Sequence, residues 1–125
     1  MARWILRAVA CAALLSVTAC AAAAQPQRTA RPNEVQVVEP AGRPDGWGYA
    51  PKELAVAKGT TVTFVNQGKE LHTVTADAPN RPFDLSIDSN QTATITFDTV
   101  GVFSYHRGVH PQMKGVVRVC DGACG

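Results

Sequence analysis

The sequence predicts an all-β domain, a sandwich or barrel of many short strands. Three observations carry the expectation. Alternating segments rich in β-branched residues begin at Glu34. Turn-forming clusters punctuate them at near-regular intervals. No amphipathic helical stretch of convincing length follows the N-terminal leader, and no internal repeat is found. The strand segments, in order, are Val35-Gln36-Val37-Val38, Leu54-Ala55-Val56, Thr61-Val62-Thr63-Phe64-Val65 and Thr92-Ala93-Thr94-Ile95-Thr96-Phe97. A further strand is expected from Val102 to His106, and another from Gly115 to Val119. Between them stand Pro40-Ala41-Gly42, Lys58-Gly59, Asn66-Gln67-Gly68, Pro79-Asn80-Arg81-Pro82 and Val100-Gly101. Such spacing suits sandwiches and barrels.

The first nineteen residues have the layout of a secretory signal. Arg3 and Arg7 form a basic start, Ala8 to Val17 an apolar stretch too short to remain as a membrane span, and small residues follow. Val17-Thr18-Ala19-Cys20 resembles the lipobox of bacterial lipoproteins, which would leave Cys20 as a lipid-modified first residue. Ordinary secretion with cleavage nearby is the alternative. The stretch from Ala21 to Asn33, with its alanine run, two prolines and Arg28/Arg31, has no apolar period to bury and reads as a tether. Residues 34–120 then form one domain and 121–125 a tail, because removing 1–19 from the 125 residues leaves one small core's worth of chain. The expected location is the bacterial cell envelope, with a membrane-anchored protein facing the periplasm or the exterior.

The chain carries 12 basic and 10 acidic residues, and loss of Arg3 and Arg7 with the leader brings the two into balance. No polybasic patch argues for nucleic acid. There is no Ser/His/Asp set, no paired carboxylates and no phosphate-binding loop, so an enzyme is not expected.

What stands out is the run Tyr105-His106-Arg107-Gly108-Val109-His110-Pro111-Gln112-Met113-Lys114-Gly115, with His72 far upstream. Two His, one Cys and a weak axial Met make a blue-copper site. Here the residues suggest such a set with a guanidinium in place of the thiolate. Longer motifs agree. Tyr49-x-Pro51, Leu54-x-Val56-x-Lys58-Gly59-x-Thr61-Val62-x-Phe64-x-Asn66, His72-Thr73-Val74, Phe83-Asp84, Gly101-x-Phe103-x-Tyr105 and His110-Pro111-x-Met113-x-Gly115 are together similar to the cupredoxins, of the plastocyanin and amicyanin type. The resemblance implies a cupredoxin-like Greek-key β-sandwich and a copper cofactor held by His72, His110 and Met113. It also implies redox or copper-handling partners at the envelope and a monomeric state.

Arg107 stands at the position of the ligand cysteine. Leu71, Leu85 and Val109 depart from the family's usual residues, but only Arg107 removes a ligand. A normal blue centre is therefore excluded. Two imidazoles and a thioether still suit Cu(I) by softness. A guanidinium pointing inward would oppose a divalent cation at 4 Å by about 4 kcal/mol at an effective dielectric of 20, and the expected escape is for the Arg107 head to swing out to water. Handling of copper, as Cu(I) or Cu(II), is thus the first functional expectation; one-electron transfer, which the resemblance implies but which depends on the missing thiolate, is the second; and a metal-free interaction module, with Arg107 paired to Glu70 or Asp84, is the third.

Along the strand ending at His106, alternation sets Val102, Ser104 and His106 on one side and Phe103, Tyr105 and Arg107 on the other. Tyr105 is expected to pack inside with its hydroxyl near the rim, and His106 to be a simple exposed histidine, with a supporting contact behind a ligand residue as the alternative. Cys120 lies seven residues past Met113, ~20 Å away at roughly 3.3 Å per residue, too far to replace the thiolate. Cys120 and Cys124 are expected to close a small terminal disulfide, with free thiols or a second soft-metal site as alternatives.

Overall fold

The computed structural model describes residues 31–125. The leader, Cys20 and most of the expected tether lie outside them. Nine strands run in chain order: β1 Glu34–Val38, β2 Gly48–Ala50, β3 Glu53–Ala57, β4 Thr60–Asn66, β5 His72–Ala76, β6 Asp84–Ile87, β7 Thr92–Phe97, β8 Gly101–Arg107 and β9 His110–Cys120. One 3-10 turn, Pro44–Gly46, precedes β2. The described residues contain no α-helix.

The strands form two sheets, ordered β2-β1-β4-β7 and β3-β9-β8-β5-β6. Two pairings are parallel, β1 with β4 and β3 with β9, and the others are antiparallel. The all-β sandwich expected from periodicity is what forms. Inward positions alternate as the pleat requires: Val35 and Val37 on β1, Val62 and Phe64 on β4, and Met113, Gly115, Val117 and Val119 on β9 are buried. Burial of these faces against each other holds the sheets together.

An aromatic cluster centred on Tyr105 fills the middle. Its ring lies 4.9 Å from that of Tyr49 and 5.5 Å from that of Phe64, both edge-on, an arrangement that aromatic quadrupoles favour. Tyr105 is wholly buried, hydroxyl included, so the expected position near the rim is corrected. The ring fits because its neighbour across the hairpin is Gly115. A Cβ at position 115 would stand 2.3 Å from the ring carbon Cζ and the hydroxyl oxygen.

Sequence reading placed the start of the last strand at Gly115. Instead β9 begins at His110, and β8 and β9 join through Gly108 and Val109 alone. The run from Tyr105 to Gly115 is the end of a hairpin, with a register shift between His106 and Arg107. The shift leaves the alternation intact: Phe103, Tyr105 and Arg107 point inward relative to exposed Val102 and Ser104. β2, β5 and β6, of three, five and four residues, lie outside the strand segments expected from the sequence.

At the far end of β9, Cys120 and Cys124 are joined by a disulfide. The tail folds back so that Cys124 Sγ approaches the Val56 carbonyl at 3.4 Å.

Two substitutions test the central packing. Gly115→Ala forces the Tyr105 ring to move and should destabilise by about 1–3 kcal/mol, the usual cost of overpacking. Tyr105→Phe removes a buried hydroxyl with no protein partner and should be neutral or stabilising by up to about 1 kcal/mol. Urea unfolding of both variants reads these values.

Candidate metal centre

Three strand ends converge at one end of the five-stranded sheet. His72 opens β5, Arg107 closes β8 and His110 opens β9, with Arg107 and His110 directly opposite each other in the hairpin register. The turn between them is tied to β5, because the Gly108 backbone N–H donates to Thr73 Oγ1 at 2.7 Å. From the other sheet, the residue before β2 supplies an aromatic neighbour. The Trp47 ring lies 5.4 Å from the His72 ring and 5.7 Å from the His110 ring, centroid to centroid.

Arg107 lies inside this group, only 5% exposed. A guanidinium can only donate. One terminal nitrogen donates to His110 Nδ1 at 2.7 Å and the other to the Leu71 carbonyl at 2.6 Å. The guanidinium carbon sits 5.1 Å from the Trp47 ring centroid, within reach of the attraction between a cation and an aromatic face. Arg107 therefore does not swing out to water, and it pairs with neither Glu70 nor Asp84. The inward-facing position sets the guanidinium against the acceptors on His110 and Leu71 instead.

His72 is completely buried. Its Nε2 lies 2.6 Å from Glu39 Oε1, while Nδ1 has no protein partner. His110 is half-buried and uses Nδ1 as an acceptor, so its proton resides on Nε2. Met113 is 1% exposed and belongs to the apolar core, three residues beyond His110 on β9. His72, His110 and Arg107 are thus gathered around Trp47, and Met113 is buried in the adjoining core. Cys120 and Cys124 lie at the remote end of β9. Among the described residues, no three of His, Cys, Asp and Glu cluster as a metal site.

His106 faces the other side of β8 and is half-buried rather than simply exposed, its Nδ1 paired with Asp77. Two participants escaped the sequence reading altogether. Glu39 lies thirty-three residues before His72, and Trp47 lies in a turn-rich stretch with no periodicity; no local pattern marks either. The loop before His72 is held by Asn66, whose side-chain amide donates to the carbonyls of Glu70 and Ile87 and accepts from the Gly68 N–H.

Burial lowers the His72 pKa below its usual 6.5, and nearby Arg107 adds to the effect, outweighing the opposing hydrogen bond to Glu39. Burial alone would raise Glu39, but hydrogen bonds from His72 and from the backbone N–H groups of Lys69 and Glu70 outweigh it and hold the carboxyl below 4.5. Both signs favour the fold at neutral pH. Below 6.5 the unfolded chain takes up the His72 proton before the folded one does, and below 4.5 the unfolded chain protonates Glu39 first. Thermal unfolding of the copper-free protein should therefore show a midpoint that falls as pH drops below 6.5 and falls further below 4.5. His72→Gln should remove the first part of the decline.

Comparison with known proteins gives the same architecture. The family model described as a cupredoxin-like domain matches residues 8–119, beginning within the expected leader. A chloroplastic plastocyanin of Physcomitrium patens is 33% identical over 84 residues, which cover 58% of this chain and 50% of the relative. The match thus spans half the length of that protein. Among solved structures, a purple cupredoxin from Nitrosopumilus maritimus superposes with a TM-score of 0.61 at 24% identity, covering 70% of this chain and 98% of the other. A reduced amicyanin variant gives 0.58 at 28% identity, covering 70% and 80%. The copper-containing nitrite reductase of Thermus scotoductus gives 0.59 at 28% identity, but the 74% of this chain that aligns corresponds to only 23% of that enzyme. With a family match over nearly its whole length and the sandwich to accompany it, the chain belongs to the cupredoxin-like domain family.

Proposed function

We propose that this protein handles copper at the cell envelope, taking Cu(I) through His72, His110 and Met113 when Arg107 leaves the pocket. The observation that carries the reading is His72 Nδ1, a fully buried nitrogen with no partner. Buried polar atoms are ordinarily satisfied, and a lone pair kept dry and free is what a soft metal ion needs. Two imidazoles and a thioether form a donor set suited to Cu(I). Bound copper would supply a soft, exchangeable metal without the thiolate bond that colours blue centres and conducts their electrons.

Arg107 stands against tight binding. Its departure gives up a charged hydrogen bond to His110 and another to the Leu71 carbonyl. At 1.5–3 kcal/mol for each bond to a charged group, the loss is on the order of 3 kcal/mol or more, which weakens affinity at least roughly a hundredfold. The same contacts favour a second reading, a metal-free interaction module in which the guanidinium completes the pocket permanently. Exposed Leu71 and Val109 flank that end of the molecule. Neither reading assigns an enzymatic activity.

Location follows from the leader. Arg3 and Arg7, the apolar stretch and the Val17-Thr18-Ala19-Cys20 signature support export and a lipid anchor at Cys20. An anchor and tether suit membrane-bound redox or copper-handling partners.

Titration of the copper-free protein with Cu(I) under anaerobic conditions separates the two readings. Copper handling predicts one equivalent bound and a raised melting temperature; an unmoved melting temperature at excess metal selects the metal-free module. Arg107→Ala should bind Cu(I) roughly a hundredfold more tightly than the native chain. Arg107→Cys should develop an intense visible band with Cu(II), absent from the native protein. Cys20→Ala should move the protein from the membrane to the soluble fraction of the envelope.

A further inference from the structure

We propose that Glu39 is the positioning residue of this site, holding His72 in the tautomer that carries its proton on Nε2 and leaving Nδ1 as the lone-pair nitrogen of the pocket. The inference is independent of copper binding, because it concerns the metal-free chain.

Glu39 follows β1 directly, in the opposite sheet from His72. Its carboxylate is fully engaged. Oε1 lies 2.6 Å from His72 Nε2 and accepts the Glu70 N–H at 3.1 Å, and Oε2 accepts the Lys69 N–H at 2.7 Å. An ionised carboxylate accepts and cannot donate. The short contact therefore requires the proton on Nε2, and a neutral imidazole has no second proton for Nδ1. Carboxylates orient metal-binding histidines elsewhere by the same contact.

Two further features show that the arrangement is built. Glu39 is only 11% exposed at its side chain and His72 not at all, so water offers His72 no substitute acceptor. Position 68 is glycine, and a Cβ there would stand 2.4 Å from the Glu39 carboxyl carbon and 2.6 Å from each oxygen. The loop before His72 can wrap the carboxylate only because residue 68 lacks a side chain. The carboxylate also puts a negative charge against His72, so that the buried guanidinium is not the only charge at this end of the sandwich.

The test uses long-range 1H–15N correlation spectra of the histidine rings in the full-length, 15N-labelled, copper-free protein. The native chain should show His72 as the Nε2–H tautomer with a slowly exchanging ring proton. Observation of the Nδ1–H form, or of a rapidly exchanging Nε2–H, overturns the proposal without any variant. Glu39→Ala should lose the protected ring proton and give mixed tautomers. Glu39→Gln, whose amide oxygen still accepts, should restore the Nε2–H form. Gly68→Ala should reproduce the loss by displacing the carboxylate while leaving Glu39 and His72 in the sequence. Amide spectra identify the variants that remain folded. A folded Glu39→Ala or Gly68→Ala protein with the native His72 pattern would refute the assignment.

Discussion

A buried guanidinium governs this end of the molecule. Arg107 has two acceptors, His110 Nδ1 and the Leu71 carbonyl, and an aromatic neighbour in Trp47. Each contact binds a different segment: β9, the loop before β5 and the turn before β2. A cation drawn from β8 therefore ties three separate segments together at this end of the sandwich. The arrangement explains how this end of the sandwich stays ordered around a buried charge.

Both imidazoles have a charged partner. Glu39 contacts His72, Arg107 contacts His110, and the Trp47 ring neighbours both imidazoles. Burial keeps His72 neutral near physiological pH, which avoids placing a second positive charge beside the guanidinium. Beneath the site, the Tyr105 cluster and the Tyr49 hydroxyl, which donates to the Thr73 carbonyl at 2.5 Å, couple the core to the start of β5. The site thus rests on packed strands more than on a mobile loop.

Much of this was legible in the sequence because strand alternation is a local signal. Alternation placed Arg107 with Tyr105 on the inward side, and β-branched residues marked β1, β4 and β7. The family motifs located His72, His110 and Met113. What could not be read was long-range or backbone-borne. Arg107 was expected to escape to water because its acceptors, a carbonyl at position 71 and one ring nitrogen of His110, have no signature in residue type. Glu39 acts across thirty-three residues through a fold that brings the two sheets together. The short β2 and β6 lack enough residues to show a period.

The guanidinium itself offers the most direct measurement. Side-chain 15N NMR of Arg107 in the copper-free protein should resolve separate, slowly exchanging Nη signals, with a coupling across the hydrogen bond to His110 Nδ1. A single, rotationally averaged Nη signal with rapid solvent exchange would place the head in water and contradict the account.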